Sequence, residues 1–107
     1  DGPVSFQWKG RLFVVARKHH LGPNGAKKRT SLFELTGNLE GGPLSIKDHG
    51  DFPSAGDTSY AGVVPIDDTH MLVTWYSGDL VDDDDWFRGM LLLTDIWQGT
   101  IDLSKVP

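Results

Sequence analysis

Short runs rich in β-branched and aromatic residues recur between turn signals along the whole chain. Lys9-Gly10 separates the first two runs and fits a two-residue hairpin connection. The segment 18–28, KHHLGPNGAKK, contains several chain breakers and predicts a loop. We therefore expect four strands in the first half of the chain, over residues 4–8, 11–17, 29–36 and 44–47.

The same pattern restarts near residue 60 and predicts four further strands, over residues 60–66, 71–76, 90–97 and 100–103. An acidic loop, residues 78–85, separates the second of these strands from the third. Trp86, Met90, Leu93 and Trp97 would also fall on one face of a helix. We favour strands here, because Gly89 interrupts the run and the residues around 94–101 prefer extended backbone.

The two halves, residues 4–47 and 60–103, match in outline, and repeated units of four antiparallel strands are typical of β-propeller blades. The fold class is therefore predicted to be all-β, with residues 1–107 forming one unit of about two four-stranded blades. A β-sandwich is the alternative, because it also contains evenly spaced short strands.

Two blades cannot close a ring and would leave open strand edges. We therefore expect the chain to belong to a larger polypeptide or to a symmetric oligomer rather than to form a closed monomer. The final blade of a propeller is often completed by a strand from elsewhere, so we also expect an outer strand of the second half to come from outside it.

Composition narrows the classes of partner. The chain has 107 residues, of which 38% are hydrophobic and 23% charged, as in an ordered domain. Its net charge of -5 argues against nucleic acid as a partner, because phosphate contacts need clustered cations. No apolar run approaches membrane-spanning length, so no membrane partner is expected, and the first residues carry no signal-peptide pattern.

The sequence also argues against metals and cofactors. Because there are no cysteines, disulfides and cysteine metal sites are excluded. His19 and His20 are adjacent, which is poor spacing for shared metal ligation, and no glycine-rich phosphate loop is recognisable. Residues 82–85, DDDD, are predicted to form a solvated acidic loop rather than a calcium site.

Four stretches carry a resemblance to a known family: GRLFVVAR, KKRTSLFEL, GDTSYAGVVPIDDTHMLVTWYS and TDIWQGTIDL. Together they resemble the last blades of sialidase-like propellers, a group of glycoside hydrolases and their diverged relatives. The resemblance spans nearly the whole chain and is strongest between residues 29 and 76. The chain lacks an Asp-box of the form Ser-x-Asp-x-Gly-x-x-Trp.

The resemblance implies a site for terminal acidic sugars. Tyr60, in SYAG, matches the family's tyrosine nucleophile, and Arg29, 31 residues earlier, matches one arginine of its carboxylate-binding triad. A neutral phenol approaches an anionic sugar with less repulsion than a carboxylate does. With a pKa of about 10 the phenol is protonated at neutral pH, so it needs a base or a positive field to become a nucleophile. Arginine suits the sugar carboxylate because its planar fork bonds both oxygens. An extracellular or periplasmic location is also implied by the resemblance alone.

Four further residues are candidates for the site, each with a structural alternative. Asp57 could face the pocket and contact sugar hydroxyls as part of the catalytic set, or form an Asx turn in GDTS. Arg17 could point into the same cleft, or lie in solvent at the end of its strand. Trp75 and Trp86 could stack on sugar faces, or pack in the core. For Tyr60 the alternative is an ordinary strand aromatic, and for Arg29 a solvated cation beside two lysines.

The chain holds too few of the family's catalytic groups for a complete site. The family needs two more arginines, an aspartic acid/base and a glutamate that activates the tyrosine. This chain has four arginines and two glutamates, and strand alternation places Glu34 on the opposite face from Arg29. A sialidase-like retaining glycosidase, completed by other blades or by symmetric copies, is therefore the leading hypothesis. A non-catalytic carbohydrate-binding propeller is the alternative, and a scaffold is the third possibility.

Overall fold

The computed structural model describes residues 2–23 and 25–107, and it contains two antiparallel sheets of four and three strands. The first sheet has the order β1-β2-β3-β4, with β1 Val4–Trp8, β2 Arg11–Gly22, β3 Gly25–Gly37 and β4 Leu44–Asp51. The second has the order β5-β6-β7, with β5 Ser59–Pro65, β6 His70–Ser77 and β7 Asp95–Asp102. A short helix, α1 (Trp86–Gly89), precedes β7, and a 3₁₀ helix (Leu103–Lys105) follows it. The all-β prediction is confirmed.

The hairpin predicted at Lys9-Gly10 is present. Lys9 has φ 47° and Gly10 has φ 76°, and a type I′ turn requires positive φ at both of its central positions. This turn sets the register that places Phe6 opposite Phe13, and the two rings stack with centroids 5.3 Å apart.

The loop predicted over residues 18–28 is wrong, because most of this segment lies in strands. β2 and β3 continue as one long hairpin in which His19 pairs with Lys28 and His20 with Lys27. The chain breakers that predicted a loop stand at the tip of this hairpin, where Gly22 pairs with Gly25. On either side of the tip the two strands pair continuously, and that context outweighs local propensity. The hairpin therefore extends the first sheet well beyond the predicted strand ends.

The second sheet has three strands among the described residues, not the predicted four. Residues 90–94 are not in a strand, and residues 95–102 form the single strand β7. Asp85 caps α1 just before the predicted strand 90–97, and the chain continues through turns and irregular backbone over residues 90–94 before β7 begins. Gly99 stays within β7 opposite Val73, where its small size leaves room for the Trp75 ring. An outer strand supplied from outside this half stays a prediction.

The inner faces of the two sheets share one hydrophobic core. Its buried members are Phe13, Val15 and Leu32 from the first sheet, Met71, Val73 and Trp75 from the second, and Leu103 from the 3₁₀ helix. Strand alternation explains this pattern, since buried residues recur at every second position along β6. The core holds the middle of β2 close to the end of β6, and the candidate site lies beside this contact.

An ion pair lies beside this core. The Glu34 carboxylate accepts hydrogen bonds from Arg11 Nη2 at 2.7 Å and Arg11 Nε at 2.9 Å, and it contacts His49 Nε2 at 2.9 Å. Arg11 also donates to the carbonyls of Val106 and Pro107. The hydrogen bonds from Arg11, and then from His49, hold the pKa of Glu34 at about 2. Arg11 therefore joins the first sheet to Val106 and Pro107, and Glu34 holds the guanidinium in place.

Candidate functional site

Five side chains meet where the middle of β2 and the end of β6 approach the β4–β5 connection and the start of β5. We call them the Asp57 cluster: Arg17, Asp57, Tyr60, Tyr76 and Trp86. Arg17 reaches this place because its position on β2 faces the second sheet, where its Nε donates to the Thr58 carbonyl at 2.8 Å. Thr58 is itself held by a 2.7 Å contact between its Oγ1 and Thr30 Oγ1. These bonds fix the arginine against the connection that carries Asp57 and Tyr60.

Asp57 is the central acceptor of the cluster. Its Oδ1 accepts hydrogen bonds from Arg17 Nη2 at 3.3 Å, from the Tyr76 hydroxyl at 3.2 Å and from Trp86 Nε1 at 3.2 Å. Asp57 and Arg17 were expected to face the same pocket, and the hydrogen bond between them places their side chains together. Because three different strands or helices supply the donors, Asp57 also ties these elements together.

Tyr76 lies between the charges of Arg17 and Asp57. Its oxygen accepts from Arg17 Nη2 at 3.0 Å while its hydroxyl donates to Asp57. Burial raises the pKa of Tyr76, and the charge of Asp57 raises it further. Tyr76 therefore remains a protonated donor at neutral pH and is a poor candidate for a nucleophile.

Tyr60 has the most unusual backbone of the cluster. It has φ 50° in a stretch where the β5–β6 register shifts between Ser59 and Gly62, and its side chain is 68% exposed. Its ring stacks on Tyr76, with centroids 6.0 Å apart and an interplanar angle of 17°. A non-glycine residue in this region costs about 1–3 kcal/mol, and such strain is concentrated at functional sites. The structure thus holds an exposed phenol in a strained conformation, stacked on the tyrosine that bonds Arg17.

Arg29 does not join this cluster, which corrects its expected position beside Tyr60. Its neighbour Thr30 faces Thr58, so strand alternation turns Arg29 to the other face of β3. There Arg29 donates to Asp83 Oδ2 at 2.7 Å and to the Lys28 carbonyl at 2.8 Å. Arg17 is the arginine that the fold brings to the tyrosines.

The two candidate tryptophans have different environments. Trp75 is 4% exposed, packs against Phe52 and donates from Nε1 to the Pro53 carbonyl at 2.9 Å. Its expected role in stacking on a sugar is therefore corrected, because its ring lies within the core. Trp86 is half-buried and donates to Asp57, so it is the tryptophan positioned to contact a ligand.

Two residues of the site were missed from the sequence. Tyr76 on β6 pairs with Ser59 on β5, the neighbour of Tyr60. Strand alternation in LVTWYS could have placed Tyr76 on the opposite face of β6 from Trp75. Lys28 is 6% exposed and its Nζ lies 4.9 Å from the centre of the Trp86 ring. It was missed because its segment was predicted to be a loop.

The acidic run 82–85 lies in a loop, and three of its four carboxylates have partners. Asp83 pairs with Arg29, Asp84 Oδ1 lies 3.2 Å from Arg88 Nε, and Asp85 accepts from the Arg88 backbone N–H at 2.8 Å. Within residues 2–23 and 25–107, no group of three histidine or acidic side chains is arranged to hold a metal ion. The run therefore positions α1, and with it Trp86, over the site.

Close packing of glycines holds α1 against the site, and replacing Gly89 by alanine is expected to disturb it. A Cβ at Gly89 would lie 2.5 Å from Asp57 N and 2.6 Å from Gly56 Cα, which are backbone atoms that cannot yield locally. We expect Gly89→Ala to destabilise the fold by about 1–3 kcal/mol and to shift the indole N–H resonance of Trp86.

Gly99→Ala is the matched control, since its Cβ would lie 3.4 Å from the Trp75 ring, close to ordinary contact. Thermal unfolding measures the loss of stability, and two-dimensional NMR of the tryptophan indoles measures the shift of the Trp86 resonance. An unchanged Trp86 resonance in Gly89→Ala would show that this packing does not position the indole.

No family model matches the chain, and no curated protein or solved structure matches it significantly. The described helices are all too short to cross a membrane. Fold and site define an all-β protein in which an exposed tyrosine stacks on a second tyrosine that bonds a half-buried arginine–carboxylate pair.

Proposed function

We propose that this chain contributes two blades to a sialidase-like propeller that hydrolyses the glycosidic bond of terminal acidic sugars. The observation that carries the proposal is Tyr60, an exposed phenol at φ 50° that stacks on Tyr76 beside Arg17. A strained, exposed tyrosine next to a cation combines a nucleophile with a positive field for an anionic substrate. The resemblance of SYAG to the family's nucleophile motif supports the same residue.

The proposed reaction is a retaining hydrolysis. The Tyr60 oxygen attacks the anomeric carbon and loses its proton to a base, while the glycosidic C–O bond breaks and an acid protonates the leaving oxygen. Water then cleaves the tyrosyl–sugar bond and regenerates the phenol. Arg17 attracts the substrate carboxylate, and Asp57 and Trp86 line the pocket. The base, the acid and further arginines are assigned to other blades.

The two sheets are proposed to be neighbouring blades, with further blades from the same polypeptide or from symmetric copies. Val14, Ala16, Phe33, Leu35 and Ile46 line a cavity of about 270 Å³ on the face of the first sheet opposite the core. Ile46 is 70% exposed in this face. Blades of a propeller pack face to face, so a neighbouring blade would cover these apolar side chains.

The test uses the native particle, whose mass by light scattering is compared with the chain mass of 11.8 kDa. We expect a particle larger than one chain, and release of a fluorogenic aglycone from an N-acetylneuraminic acid glycoside with retained anomeric configuration by NMR. A neutral β-glucoside is the control and should not react. A stable monomer would contradict the propeller, and a multi-chain particle without turnover would contradict the enzyme.

A non-catalytic carbohydrate-binding propeller is the second candidate. The observation that favours it is the position of the two glutamates: Glu34 is held by Arg11 and His49, and Glu40 lies exposed in the turn before β4. Neither is placed to activate Tyr60. This candidate predicts binding of sugars without turnover, and binding that is the same in wild type and Tyr60→Phe.

A further inference from the structure

A cleft opens between the ends of β4 and β7, the last strands of the two sheets. Its volume of about 390 Å³ lies within the range of about 300–1,000 Å³ that is usual for small-ligand pockets. Phe52 gives it an aromatic surface, since its ring is half-buried and packs on Trp75 with centroids 5.1 Å apart. Among the described lining residues, none belongs to the Asp57 cluster. The other apolar side chains of the lining are Leu32, Ile101 and Val106.

A β-bulge in β4 forms one wall of this cleft. The β3–β4 register shifts between Leu32 and Phe33, which leaves His49 as the extra residue of the ladder. Gly50 follows with φ 113°, a backbone conformation that favours glycine. Bulges re-aim side chains and are frequent next to active sites. Here the bulged histidine and the glycine after it both line the cleft.

His49 has one ring nitrogen without a hydrogen-bond partner among the described residues. Its Nε2 lies 2.9 Å from Glu34 Oε1. Because the Arg11 hydrogen bonds hold the pKa of Glu34 at about 2, Glu34 is a carboxylate at neutral pH and Nε2 carries the proton. In the neutral ring Nδ1 is then an acceptor. The side chain is 4% exposed, so this acceptor has little contact with water, and a ligand hydroxyl would satisfy it.

Asp102 supplies a second acceptor on the opposite wall. Its Oδ1 accepts hydrogen bonds from Ser104 N at 3.1 Å and from Ser104 Oγ at 2.5 Å. Its Oδ2 lies 3.7 Å from His70 Nε2 and 3.9 Å from Lys105 Nζ, and both distances exceed those of hydrogen bonds. Oδ2 is therefore available to a hydrogen-bond donor from a ligand.

The carboxylates of the cleft already have cationic neighbours. Asp51 forms an ion pair with Lys18 and accepts from Ser31 Oγ at 2.7 Å, and Asp102 has Lys105 beside it. A cationic ligand would have to compete with these lysines, and an anionic ligand would meet two carboxylates. The cleft therefore favours an uncharged ligand that donates hydrogen bonds.

We infer that this cleft binds a neutral pyranose sugar. The C–H groups on one face of the sugar ring would pack on Phe52, and hydroxyl groups at its edge would donate to Asp102 Oδ2 and His49 Nδ1. Apolar surface with a few convergent polar groups is the usual composition of a small-ligand site. The site goes beyond the proposed function, because it uses neither Tyr60 nor Arg17.

The first test titrates the native particle with methyl β-glucoside and methyl β-galactoside and follows the backbone amides by two-dimensional NMR. We expect the Gly50, Phe52 and Ile101 amides to shift, with the Asp57 amide unmoved. Choline, as a cationic probe, should cause no such shift. If neither glycoside shifts the cleft amides, the inference is wrong and the proposed function is untouched. Stronger binding of choline than of either glycoside would overturn the assignment to a neutral ligand.

The second test measures glycoside affinity in Asp102→Asn. Asparagine is also a good helix cap, so the 3₁₀ helix should be retained. We expect about tenfold weaker binding, as for loss of one hydrogen bond to a charged group. Asp95→Asn makes the same change at the exposed start of β7 and is the matched control, expected to bind as wild type.

Tyr60→Phe separates this site from the proposed active site, since it leaves the cleft unchanged and should bind either glycoside as wild type does. Equal affinity of Asp102→Asn and wild type would contradict the proposed site. A glycoside affinity that falls in Tyr60→Phe would place the sugar at the Asp57 cluster and would overturn the inference.

Discussion

Replacing Tyr60 by phenylalanine is expected to lower turnover of an acidic glycoside by about three orders of magnitude or more, because the variant lacks the oxygen that we propose attacks the anomeric carbon. The ring stacking on Tyr76 and the backbone at φ 50° need only the aromatic ring, so the fold should be retained. The Tyr60 side chain is exposed, so loss of its hydroxyl should change the free energy of unfolding by less than about 0.5 kcal/mol.

The control is the other tyrosine of the chain. Tyr76→Phe removes a hydroxyl that bonds Arg17 and Asp57, so we expect lower stability, by about 1 kcal/mol, and weaker binding of the acidic sugar. Steady-state kinetics of the native particle measures the changes in turnover and in sugar binding. Thermal unfolding of each variant measures the change in stability. If Tyr60→Phe keeps its turnover, Tyr60 is not the nucleophile and the binding module is the better assignment.

Replacing Glu34 by glutamine is expected to destabilise the fold by about 3 kcal/mol, because it leaves the Arg11 guanidinium and His49 beside the core without their anion. Glu34 also makes stability depend on pH. Its pKa of about 2 lies below its ordinary value of 4.5, so the carboxylate stabilises the fold above about pH 4.5. That contribution is lost as the pH falls from about 4.5 towards 2.

Chemical unfolding at several pH values tests this prediction. Glu34→Gln should be less stable than wild type at pH 7, and the difference should shrink as the pH approaches 2. Glu40→Gln is the matched control, since Glu40 is exposed in the turn before β4 and should behave as wild type. A constant difference between Glu34→Gln and wild type across this range would show that the carboxylate charge does not stabilise the fold.

The site was only partly predictable. Tyr60, Asp57 and Trp86 were found because a turn signal, an acid and aromatic residues stand close together in the sequence or match a family motif. Arg17 was found as a strand-end cation, but its bonds to Thr58 and Asp57 join residues about 40 positions apart. Arg29 was misplaced because it was chosen by its spacing from Tyr60 in the family resemblance. Neither that spacing nor alternation within one strand tells which face of β3 meets the second sheet.

By itself, the sequence determined that this protein is all-β, and it determined the hairpin at Lys9-Gly10, because alternation and turn chemistry are local properties. Only the tertiary structure decided that Arg17 and Lys28 face the site while Arg29 faces away. It also decided that Trp75 lies in the core while Trp86 covers the cluster. These outcomes depend on the register of long strands and on the packing of one sheet on the other, and both are set by contacts between residues distant in the sequence.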